Sequence, residues 1–166
     1  MRSHSFRASL ALAALAVAAI AGPLVAADQV PFKGSLEGVV TVTPVPGGPP
    51  TTVDVLVDGT GNATQLGQFA LTIPHRVNRA TRTASGSYHF TAANGDTLSA
   101  DFTGQSMPTA TLGVISIVET ATITGGTGRF DGATGGFICE RLFDAVAGTT
   151  IGSFDGTISS PGASKR

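Results

Sequence analysis

The chain has 166 residues, of which 13% are charged and 42% hydrophobic, with 22 Gly, 9 Pro, one Cys and no Trp. That size suggests one domain, and a formal net charge of −1 excludes broad attraction to nucleic acid or anionic lipid. A single Cys excludes an intramolecular disulfide framework and a Cys-rich zinc site, and so apolar a chain is not a disordered solvating segment.

Residues 1–27 read as a secretory signal peptide. Arg2 and Arg7 precede an apolar run from Ala8 to Ala21; Gly22-Pro23 breaks it, and Val25-Ala26-Ala27 supplies small residues for cleavage after about Ala27. A spanning helix needs about 20 apolar residues, so stable membrane insertion is not expected. The expected location is secreted or periplasmic. The Ala-rich segment looks bacterial, which discounts the glycosylation sequon Asn62-Ala63-Thr64. Cleavage there leaves 139 residues with 8 basic and 11 acidic side chains, a formal −3.

The rest of the chain, 28–160, reads as one all-β domain, with 161–166 as a frayed tail. No stretch carries helical apolar spacing over three turns, and Gly-containing turns punctuate short strand-like runs. In chain order, the expected strands are Phe32–Thr43, Thr51–Asp58, Thr64–Ile73, Ala84–Ala92, Thr97–Thr103, Thr111–Thr124, Thr134–Asp144 and Thr150–Ser159. Pro44 to Pro50 is expected to be an exposed loop, Asp58-Gly59-Thr60-Gly61-Asn62 a turn, and Asn94-Gly95 a hairpin turn. Pro74 is expected to end its strand, leaving His75 in a loop with Arg76, Arg79 and Arg82. That basic loop is either simply solvated or a contact for an anion or surface polymer. About eight antiparallel strands with short connections favour an up-and-down barrel. Its interior is just wide enough for side chains or one small ligand.

The most distinctive segment is Ile123-Thr124-Gly125-Gly126-Thr127-Gly128-Arg129-Phe130-Asp131-Gly132-Ala133-Thr134-Gly135. It lacks the Gly-Lys-Ser/Thr ending of a phosphate loop and the βαβ context of a dinucleotide fingerprint. It reads instead as a tight turn in which Gly125, Gly126 and Gly128 relax the backbone. There Phe130 plugs the barrel end, and Arg129 caps carbonyls or stays in water. This segment, with Gly132-Ala133 and Asp155-Gly156-Thr157-Ile158, resembles the allene oxide cyclase-like barrels, which include plant dirigent proteins and small secreted bacterial proteins. The resemblance implies an allene oxide cyclase-like barrel and carries no catalytic residue onto this chain.

Strand parity singles out two charges on apolar faces. Glu119 shares a face with Ile115, Ile117, Ala121 and Ile123, and Arg141 shares one with Phe137, Cys139 and Phe143. A hairpin centred near Phe130 sets Glu119 directly opposite Arg141, with a bulge able to shift the register by one. Two readings stay open. In one, Glu119 is an acid/base and Arg141 orients a ligand; in the other, the two form a structural ion pair, buried or on the outer face. If the interior holds a ligand, its expected contacts are Tyr88, Phe90, Phe102, Glu119 and Arg141. Cys139 reads as a small buried hydrophobe, and His89 as solvent-facing. No histidine pair has metal-ligand spacing, and no cofactor is implied. Two function classes remain: a non-enzymatic module that binds a small apolar molecule or serves the cell envelope, and a cyclase- or dirigent-like protein that steers ring closure. A homo-oligomer is compatible with either. An interior cavity of ~300 Å³ or more on which Glu119 and Arg141 converge would favour a ligand.

Overall fold

The computed structural model describes residues 28–159; the expected signal peptide and the tail lie outside them. Eight strands run β1 (Gln29–Pro44), β2 (Thr52–Ala63), β3 (Gly67–Asn78), β4 (Thr83–Ala92), β5 (Thr97–Pro108), β6 (Val114–Gly126), β7 (Gly135–Asp144) and β8 (Thr149–Ser159). Each pairs antiparallel with the next, and β8 returns to β1 from Val39↔Thr149 to Gln29↔Ser159, so the sheet is a closed barrel. Closure leaves no edge strand to template aggregation.

Alternation explains which residues face inward. Along β4, Tyr88, Phe90 and Ala92 are buried while His89 and Thr91 are exposed. Along β5, Leu98, Ala100 and Phe102 are buried. The inward aromatics of six strands meet in one layer. Phe32 lies 5.0 Å from Phe154, Phe69 lies 5.2 Å from Phe90, and Tyr88 stacks on Phe90 at 5.6 Å. This layer fills one half of the barrel.

That half is also closed at its end. The connection between β6 and β7 contains a short 3-10 turn, Gly128–Phe130, whose Phe130 is fully buried. Arg129 lies over the Phe130 ring at 4.9 Å, donates from Nη2 to the Leu66 carbonyl at 3.1 Å and pairs with Asp96 at 3.7 Å. The expected turn is a turn only in part: Gly128, Arg129 and Phe130 form the plug, whereas Gly125 and Gly126 still belong to β6, paired with Ser99 and Leu98.

Three further expectations need correction. Asp58 to Asn62 is not a turn: it lies inside β2, paired with β1 and β3. Its glycines admit close neighbours, since a Cβ on Gly61 would meet the Ser35 carbonyl and the Phe69 ring. Pro74 does not end its strand, and His75 is not in a loop. β3 continues to Asn78, and Pro74 falls where the β3–β4 ladder skips from Thr72↔His89 to His75↔Gly86, so its missing N–H breaks no pair there. Finally, Glu119 lies opposite Cys139, and Arg141 opposite Ile117. The hairpin centres one residue earlier than expected, which slides the partner by two positions and preserves parity.

Gly128 and Gly95 both have positive φ, +61° and +87°, but a Cβ on Gly128 would strike the Asp96 carboxylate, whereas one on Gly95 meets open space. Gly95→Ala should therefore cost only the backbone strain of about 1–3 kcal/mol. Gly128→Ala should cost distinctly more and loosen the plug. Urea unfolding of the two variants checks this; equal losses would contradict it.

Candidate functional site

The barrel ends differ. Opposite the plug, the connections 45–51, 79–82, 109–113 and 145–148 surround an opening into a cavity of about 400 Å³. Its walls are mainly Val53, Val55 and Val57 of β2, Val77 of β3 and Ile115 and Ile117 of β6. Its floor is polar: Glu119, Arg141 and His75 all line it. A wider groove of about 1200 Å³ crosses the outer strand faces near Thr60, Gln68 and Ser153, but it is more open to solvent. The interior cavity is the better candidate because three inward polar side chains converge on it.

Small residues across the strand ladder make that floor possible. Glu119 is paired with Gly104, Arg141 with Gly152 and His75 with Gly86. A Cβ on Gly104 would come within 2.8 Å of the Glu119 Cγ, one on Gly152 within 2.6 Å of the Arg141 Cγ, and one on Gly86 would collide with the His75 Cβ. Each long polar side chain thus occupies space that a neighbouring glycine leaves.

Glu119 and Arg141 are buried inside the barrel, 0% and 3% exposed. Arg141 grips the carboxylate from two nitrogens, Nη2 to Oε1 at 2.5 Å and Nε to Oε2 at 3.0 Å. The Tyr88 hydroxyl donates a third hydrogen bond to Oε2. Arg141 Nη1 lies 3.5 Å from the Thr150 hydroxyl, which itself donates to the Leu142 carbonyl at 2.9 Å. Burial works against the guanidinium charge, but the charge and hydrogen bonds of Glu119 outweigh it and hold Arg141 above its ordinary value. Neither member of such a buried pair can leave without stranding the other's charge. Both carboxylate oxygens are committed, so the pair serves as a fixed polar surface better than as a free proton carrier.

Its neighbours are held neutral. Burial first, and then the charge of Glu119, push the Tyr88 phenol well above 10.0. Burial pushes the Cys139 thiol up to about 12, with Glu119 adding to the shift and a Tyr88 hydrogen bond opposing it. Cys139 is thus a buried, inert thiol.

His75 is the residue that sequence reasoning placed elsewhere. Its ring packs edge-on to Phe102 at 5.7 Å, and Nδ1 lies 2.9 Å from the Ile73 carbonyl. A carbonyl only accepts, so Nδ1 carries the proton. Burial lowers the His75 pKa below 6.5; the Ile73 hydrogen bond opposes this, and Arg141 reinforces it. In the neutral ring Nε2 is then an acceptor, and among the described residues it has no partner. The clue in the sequence was parity, since His75 continues the inward series Phe69, Leu71, Ile73 once Pro74 is allowed within a strand.

Tyr88, Phe90 and Phe102, expected as ligand contacts, pack in the aromatic layer, and none lines the cavity. Tyr88 touches the site only through Glu119. Of the expected contacts, Glu119 and Arg141 line the cavity. His89 is exposed on the outer face. Among the described residues, no group of three or more His, Cys, Asp or Glu is placed to hold a metal ion.

Two outcomes follow. Arg141→Met strands a buried carboxylate and should destabilise the barrel by about 3–5 kcal/mol, whereas Glu119→Leu combined with Arg141→Met should recover most of that; urea unfolding of the two variants measures it. For His75, the unfolded ring takes a proton near 6.5 and the folded one only at lower pH. Stability contributed by its neutral state is therefore full above 6.5 and falls as pH drops toward the folded value. His75→Phe should flatten that part of the pH–stability curve, and an unchanged slope would contradict the assignment.

No protein-family model matches the sequence, and no curated protein is similar to it by sequence. Solved structures do match. The pterocarpan synthase dirigent protein PsPTS1 superposes with a TM-score of 0.57 at 13% identity, covering 81% of this chain and 96% of that one. The pterocarpan synthase dirigent protein GePTS1 superposes with a TM-score of 0.54 at 15% identity, covering 81% and 91%. The fold is a closed, eight-stranded barrel like that of these dirigent proteins.

Proposed function

We propose that this barrel binds one small, largely apolar molecule carrying a hydroxyl group, held in the cavity with its hydroxyl toward the polar floor. The observation that carries the reading is the cavity itself: about 400 Å³, walled by valine and isoleucine, above Glu119, Arg141 and His75. That volume lies within the ~300–1,000 Å³ of small-ligand sites, which pair apolar walls with few placed polar groups. His75 Nε2 is the unfilled acceptor, so a ligand hydroxyl is the complementary donor. Arg141 Nη1 is the next available group, since its contact to Thr150 is long at 3.5 Å.

A second reading, steering of a reactive intermediate, draws support from the dirigent proteins that share the fold. Such a role asks the barrel to fix a conformation more than to move protons. Committed Glu119 and neutral Tyr88 and Cys139 suit that, and binding is the step both readings share. In either role, residues 1–27 would direct export, and the exported chain would begin near Asp28. Mass spectrometry of the protein made in a secreting host reads that start directly.

A matched probe pair tests the site. By calorimetry, 2-naphthol should bind roughly threefold to tenfold tighter than 2-methoxynaphthalene, the value of one hydrogen bond. The preference should vanish in His75→Phe. Equal affinities in the wild type, or no binding of either probe, would remove the support for a hydroxyl-bearing ligand.

A further inference from the structure

Among the described residues, the cavity mouth carries both exposed aliphatic side chains and arginines. Leu112, in the 109–113 connection, is 97% exposed, and Val146, in the 145–148 connection, is 88% exposed. These two loops are neighbours: the Ala145 amide donates to the Gly113 carbonyl at 2.9 Å, and a Cβ on Gly113 would lie 3.1 Å from Val146. Met107, 63% exposed, stands on the same rim. The apolar tips are presented by pinned loops. The Asp144 carboxylate accepts from the amides of Val146 at 2.8 Å and Ala147 at 3.0 Å, and the Thr109 hydroxyl donates to the Val114 carbonyl at 2.9 Å.

Beside them, Arg79 and Arg82 line the cavity mouth, and neither side chain forms an ion pair or hydrogen bond among the described residues. The acids nearby do not neutralise them, because Asp54 is held by Arg76 at 2.8 Å and Asp144 is turned into its own loop. A chain with little net charge therefore carries a local basic rim studded with exposed aliphatic tips. Other exposed aliphatics lie on the strand faces, but Leu112 and Val146 are the two most exposed large hydrophobics among the described residues, and their adjacency on two pinned loops marks an interaction site. Aliphatic tips that enter an apolar layer, ringed by arginines that meet its charged surface, match the interface of an anionic lipid bilayer.

We propose that the open end docks on anionic membrane surfaces, with Leu112 and Val146 entering the interface and Arg79 and Arg82 contacting lipid headgroups. The cavity mouth then faces the bilayer, and an apolar molecule can pass between lipid and barrel without crossing water. The proposal takes from the ligand reading only the direction of the mouth. Its test uses empty barrel, so the two can fail separately.

The chain has no Trp, so Leu112→Trp in the full chain gives a single fluorescent reporter at the proposed contact, and Ala93→Trp a control at the plugged end. With phosphatidylcholine vesicles containing 30% phosphatidylglycerol, Leu112→Trp emission should shift to the blue and be quenched by brominated lipid, while Ala93→Trp should not respond. Adding Arg79→Gln and Arg82→Gln should weaken the partitioning about tenfold or more, as should pure phosphatidylcholine. Absence of the shift at Leu112→Trp would overturn the proposal. So would an equal response at Ala93→Trp, a response that survives loss of both arginines, or a concentration-dependent shift without vesicles, which would mean self-association.

Discussion

An ionised carboxylate shut inside a barrel has to be compensated where it stands, and Glu119 is compensated by three donors within reach of its two oxygens. That requirement orders the rest of the interior. Arg141 must come from the adjacent strand and must extend along the barrel rather than across it, since it lies two positions beyond the residue directly opposite Glu119. Tyr88 must reach from the aromatic layer with its hydroxyl aimed upward. The pair therefore sits at a boundary: on one side aromatic rings pack to exclusion of solvent, on the other an aliphatic cavity opens. Without a satisfied polar unit at that depth, the interior would be filled throughout or would admit water to a buried charge.

Glycine is what lets eight strands carry such a layer. The three polar floor residues each face a glycine on a neighbouring strand, so their side chains lie flat against backbone rather than crowding the centre. Space is saved at the wall and spent in the middle, which is where the cavity forms. The same composition that makes the sequence look turn-rich is thus partly a device for interior room.

This double use of glycine explains what the sequence could and could not reveal. Parity was legible as a grouping: Tyr88 and Phe90 share a face opposite His89, and Glu119 and Arg141 are the charges on apolar faces, but that those faces line the interior came only from the closed barrel. The plug at Phe130 was legible because Gly125 to Phe130 has no other economical reading, but not that Gly125 and Gly126 still pair within β6. Gly59 and Gly61 read as a turn in the sequence because nothing local distinguishes a glycine that reverses the chain from one that admits Phe69 against the wall. His75 was missed because Pro74 normally ends a strand, and only the β3–β4 pairing shows that the missing N–H falls in a gap. The offset between Glu119 and Arg141 depends on the path of the chain beyond the last β6–β7 pair, Ile123↔Gly135, which parity cannot fix. The arginine cluster was legible, but not that Arg79 and Arg82 stand at the mouth of the cavity, which only barrel closure shows.

The ligand site depends most heavily on one atom, Nε2 of His75, the nitrogen of a cavity-lining ring that has no hydrogen-bond partner among the described residues. Nitrogen NMR of the 15N-labelled imidazole reads it directly. The structure requires a neutral ring at pH 7 protonated on Nδ1, with an Nε2 resonance that moves when 2-naphthol is added and stays put with 2-methoxynaphthalene. An Nε2-protonated or charged ring at that pH, or an Nε2 signal indifferent to both probes, would contradict the site.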